Sequence, residues 1–141
     1  MAIQKVKINV PSWPTLFYVF MALILIPWTI YLGESLPAKH LSVDWDISWT
    51  GLDAALIMTM LATGIFAYLR SRWIIISSST VGSLLLVDAW FDVMSERRGL
   101  QLHEAIYLAV FVEIPLALIS YYIAYHTLEN HTKHKSSTYI K

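Results

Sequence analysis

Four apolar runs of about twenty residues each constrain this chain more than any other feature. A bilayer core of roughly 30 Å takes about 20 apolar residues to cross as a helix. No water is available there to satisfy exposed backbone groups, so each run must close its own hydrogen bonds. The first run covers about 13–33, opens Pro14-Thr15-Leu16-Phe17 and carries no charge. The second covers 49–68 and closes on Arg70, the third 73–95, and the fourth 103–126. The pattern predicts an all-α polytopic membrane protein, a four-transmembrane-helix bundle. It forms one domain over 1–130, followed by a polar tail over 131–141. The first run is read as a retained helix. It is longer than a signal-peptide core, and Gly33-Glu34-Ser35-Leu36-Pro37-Ala38 makes a poor cleavage site.

Composition narrows the field further. Charged residues are 14% of the chain, against about 25% in ordinary soluble domains, and 57% of residues are hydrophobic. With a net charge of zero, nothing in the bulk composition favours nucleic acid. There is no cysteine, which removes disulfide scaffolds, thiolate metal sites and thiol redox chemistry. The five histidines (His40, His103, His126, His131 and His134) fall in loops or at helix ends, so no haem is expected between the helices. Lys5, Lys7, Arg70, Arg72, Lys133, Lys135 and Lys141 flank the spans on one side, against Lys39, Arg97 and Arg98 on the other. That asymmetry predicts both termini in the cytoplasm and a multi-pass place in the cell membrane.

Against this background four carboxylates stand out: Asp53, Asp88, Asp92 and Glu113. An ionised carboxylate in hydrocarbon costs from roughly 2.5 kcal/mol upward, so such groups face a bundle interior or water. Asp88 and Asp92 are four apart and share a helical face. Their stripe extends inward through Leu84, Val81, Thr80 and Ser77 into the run Ser77-Ser78-Ser79-Thr80. Glu113 lies close to the midplane, two residues before Pro115, whose missing N–H would free the Phe111 carbonyl and kink the helix. Trp90, His103 and Glu104 are candidate contributors at the outer mouth, although Glu104 is about 180° from Glu113 on a regular helix. Each has an ordinary reading. Asp53 can complement a helix dipole, Asp92 can pair with Arg97 or Arg98, and Trp90 can belong to an interfacial aromatic belt.

The segments Trp45-Asp46, Trp49-Thr50-Gly51-Leu52-Asp53, Leu85-Leu86-Val87-Asp88-Ala89-Trp90-Phe91-Asp92-Val93 and Val112-Glu113-Ile114-Pro115-Leu116-Ala117 carry a resemblance. They are similar to segments of a group of small four-helix bacterial integral membrane proteins, mainly actinobacterial and without an assigned activity. The match spans Val43 to Ala117, roughly half the chain, and its most specific part is Val-Asp-Ala-Trp-Phe-Asp-Val. The resemblance places the acidic positions inside the shared segments and implies no substrate or cofactor.

Two chemistries suit carboxylates crowded in a low dielectric. They share protons, because they cannot all stay ionised together, or they hold a hard divalent cation, with Asp88, Asp92 and Glu113 as candidate metal ligands. The leading expectation is a proton- or cation-binding transporter or sensor, needing no resident cofactor, embedded in lipid and working as a homodimer. One alternative is a metal-dependent enzyme acting on a lipid head group, for which phosphate-holding cations are scarce. Another is a scaffold whose buried carboxylates only hydrogen-bond the bundle together.

Overall fold

The computed structural model describes residues 10–35, 45–95 and 100–138, with the side chains of all of these except 45, 101 and 133–138. Four long helical passes account for nearly all of it. Helix α1 is Trp13–Ser35, α2 is Trp45–Tyr68 and α3 is Trp73–Ser95. The fourth pass is continuous but changes pitch: α4 is Leu100–Leu108, a π turn covers Ala109–Glu113, and α5 is Ile114–Thr138. The apolar stretches of the first three passes run 23 residues each, about 34 Å at 1.5 Å per residue, which suits a bilayer core. This is an integral membrane bundle of four spans. The large apolar side chains turned outward, among them Leu16, Phe20, Met58, Ile76, Phe111 and Leu118, are what hydrocarbon replaces water around.

Neighbours in sequence are neighbours in space, with α3 also lying against α5. Antiparallel register can be read from single contacts. Thr29 meets Asp53, and a Cβ on Gly33 would touch Thr50, while at the other end Gly64 abuts Val19 and Thr15. Ser83 and Tyr121 bond across the α3–α5 seam, where Gly82 lies against Tyr121 and the Ala117 carbonyl. Ser78 and Gly82 have the small-residue spacing that lets two membrane helices approach closely. The start of α1 and the end of α5 therefore lie at one end of the bundle, together with the α2–α3 turn.

That turn is as short as the sequence predicts. The Ser71 N–H bonds to the Phe66 carbonyl and the Arg70 N–H to that of Ala67, the two bonds of a Schellman motif. Arg70 takes the left-handed position, with φ 49°, where glycine is usual.

Three boundaries differ from the sequence reading. Helix α2 begins at Trp45, not Trp49, so the Trp-Asp-Ile-Ser-Trp stretch opens the helix. Asp46 in the first turn faces the positive end of the helix dipole, which favours starting there. The fourth apolar stretch runs Leu102–Thr132, longer than 103–126. The polar segment from 131, read as a separate tail, continues α5 as far as Thr138, because a helix leaving the membrane can give up apolar side chains without giving up backbone bonds. His40, Asp44, Arg97 and Arg98, and the side chains of Lys133 and Lys135, lie outside the described residues.

Candidate functional site

The buried polar groups fall in two tiers. Toward the end opposite the termini, Asp53, Asp88 and Glu113 are 3%, 8% and 8% exposed, and Asp92 is half-buried. These belong to three different helical passes. Glu113 lies within side-chain reach of Asp92 and within electrostatic reach of Asp88 and Asp53. Asp88 likewise feels Asp92 and Asp53. Asp88 and Glu113 are therefore each within electrostatic reach of the other carboxyls around them.

Helix geometry explains how Asp92 and Glu113 meet. Side chains tilt toward their own helix N-terminus, and α3 and the fourth pass run in opposite directions. Asp92 leans inward from near the end of α3, and Glu113 leans outward from deeper in its own helix. Glu113 also ends the π turn, in which the Ile114 N–H bonds back to the Ala109 carbonyl. Pro115 has no N–H to give and its ring crowds the carbonyl four residues back. The chain widens one turn just before Pro115, the place where the sequence reading expected a disturbance of the helix.

Asp53 differs most from expectation. With α2 starting at Trp45 it lies eight residues in, beyond the reach of a dipole or cap role, and it is the most buried of the four. Its partner is on α1. The Thr29 hydroxyl is 3.1 Å from Asp53 Oδ2 and 2.9 Å from the Leu25 carbonyl. Thr29 is a residue the sequence reading passed over; its one signal is a hydroxyl two residues after Pro27 in an otherwise apolar span.

The outer-mouth candidates are not buried with the carboxyls. Trp90 is 64% exposed on the lipid side, as a belt tryptophan would be, and Glu104 is exposed. His103 is exposed and makes a contact of its own. Among the described residues no group of three or more His, Asp or Glu side chains has the arrangement to hold a metal ion.

Below the carboxyls lies an apolar layer of Ala22, Leu56, Leu85, Val81 and Ala117, each at most 3% exposed. Of the stripe expected through Leu84, Val81, Thr80 and Ser77, Val81 and Ser77 are buried and Leu84 is half-buried, while Thr80 faces outward and Leu85 joins the buried face. Beneath it is a second tier of hydroxyls, Tyr18, Thr63, Ser78 and Ser120, all fully buried. Tyr18 lies beside Ser78 and Ser120, though neither Tyr18 Oη nor Ser120 Oγ makes a well-formed hydrogen bond. Ser77, Ser78, Ser79 and Thr80 all donate back to carbonyls of their own helix. The 113–120–127 spacing, which puts Glu113, Ser120 and Thr127 on one buried face, was the available signal for this tier.

Comparison of the chain with family models, curated proteins and solved structures finds no match.

Proposed function

We propose that the four carboxyls form one proton-sharing site, and that the protein is a small membrane sensor or transporter responding to protons. One observation carries this reading. Asp92 lies within side-chain hydrogen-bonding reach of Glu113, a contact that two carboxyls can close only when one of them carries a proton. Glu113 Oε2 is buried without a partner, a placement that suits a neutral group far better than a charged one. The charged groups acting on Glu113 are three further carboxyls, so proton uptake there relieves repulsion.

The dry layer of Leu56, Val81, Leu85 and Ala117 supports sensing over conduction in this conformation, since protons need a continuous polar path. Transport would require that layer to part.

Infrared difference spectroscopy on the protein in lipid, stepped from acidic to alkaline pH, tests the proposal. Expected is a protonated-carboxyl C=O band that disappears at high pH and is reduced in Glu113→Gln and in Asp88→Asn. Carboxylate bands that do not change across the pH range would refute it. A pure scaffold would lose stability in both variants and show no such band in the wild type.

A further inference from the structure

A groove of about 390 Å³ opens at the other end of the bundle, between the start of α3 and the last turns of α5. Its lining is Arg72, Trp73, Ile75, Ile76, Leu128 and His131. The polar groups are at the mouth and the apolar ones lie deeper. Ile75 and Ile76 are three and four residues into α3 from Arg72, and Leu128 is three residues into α5 from His131, about 5 Å inward in each case. Arg72 and Trp73 are exposed, so the guanidinium is available to a ligand and the indole lies where interfacial tryptophans do.

The charge around the groove is one-sided. By position relative to the four spans, this end of the chain holds seven of the ten Lys and Arg residues and one of the ten Asp and Glu residues, Glu129. The opposite end holds three and nine. A net charge of zero thus conceals two strongly opposed ends. Glu129 makes a contact of its own and sits two residues before His131.

We infer that this groove binds one anionic phospholipid, its phosphate held by Arg72 and the His131 ring N–H and one acyl chain laid over Ile75, Ile76 and Leu128. The match is amphiphilic: a planar cationic donor fork for phosphate at the membrane edge, and an apolar trough running into the hydrocarbon. A bare anion would leave the trough unused, and a zwitterionic lipid would waste the surplus of positive charge. The inference stands apart from the carboxyl site.

The test uses delipidated full-length protein in detergent, with thermal unfolding and native mass spectrometry as readouts. The probes are phosphatidylglycerol, phosphatidylcholine with the same acyl chains, and soluble glycerol 3-phosphate. Phosphatidylglycerol is expected to bind several-fold more tightly than phosphatidylcholine and to raise the unfolding midpoint, with no protection from glycerol phosphate. Arg72→Gln, and to a lesser degree His131→Asn, should lower that preference several-fold. Arg70→Asn removes an equal charge on the same turn outside the groove and should keep most of it. Equal binding of the two lipids would overturn the assignment. So would equal losses in Arg70→Asn and Arg72→Gln, which would mean diffuse charge, or protection by glycerol phosphate, which would mean a simple anion site.

Discussion

The Thr29 hydroxyl has one proton and faces two acceptors, the Leu25 carbonyl and Asp53 Oδ2. When Asp53 is ionised, the proton can go to the carboxylate. When Asp53 is protonated, it can donate to Thr29 while Thr29 donates to Leu25. Either state is satisfied, which makes this the one place where α1 senses the carboxyl tier. Replacing Thr29 by valine keeps the shape and strands Asp53 in the interior. We expect Thr29→Val to cost about 1 kcal/mol and Thr29→Ser to cost much less, checked by thermal unfolding in detergent. The four acidic positions were legible from the sequence because charge in an apolar run is conspicuous. The depth of Asp53 was not, because it hinged on a helix start four residues earlier than the hydropathy indicated. Thr29 was invisible for a related reason: a threonine in a membrane helix usually bonds to its own backbone, as Thr59 and Thr63 do here.

At the scale of elements, the four passes and the short α2–α3 turn could be read in advance, since both follow from length and hydropathy. The ways the helices end and bend could not. Pro115 announces a disturbance without saying whether it is a kink or a widened turn. The choice falls to packing, because Ala109 and Ala117 are both pressed into the bundle on either side of it. The α2 terminus hides its signal altogether, with an arginine in the left-handed position where glycine would have advertised the cap. That conformation costs an L-residue roughly 1–2 kcal/mol, part of which glycine returns through its freer unfolded state. Arg70→Gly should therefore stabilise the protein by about 0.5–1 kcal/mol, and Arg70→Val should destabilise it. Both are measurable by thermal or denaturant unfolding in detergent, where lipid contributes nothing.

For the whole molecule, antiparallel passes bring Asp53, Asp88, Asp92 and Glu113 toward one end and Arg70 and Arg72 to the other, with a buried apolar layer between. Convergence of this kind is beyond sequence reading, because it depends on how helices rotate against each other. Asp88 and Asp92 share a face by spacing alone, but nothing in the spacing says that Glu113 and Asp53 turn toward them. The central claim is that these four groups titrate as one set. Solid-state NMR of the protein in bilayers, labelled at aspartate and glutamate side-chain carboxyl carbons and recorded across pH, observes each group directly. Coupling predicts multi-step titration curves for Asp88, Asp92 and Glu113, with the Asp88 and Asp92 transitions moving when Glu113 is replaced by glutamine. Four simple, independent curves that ignore the Glu113→Gln replacement would contradict the account.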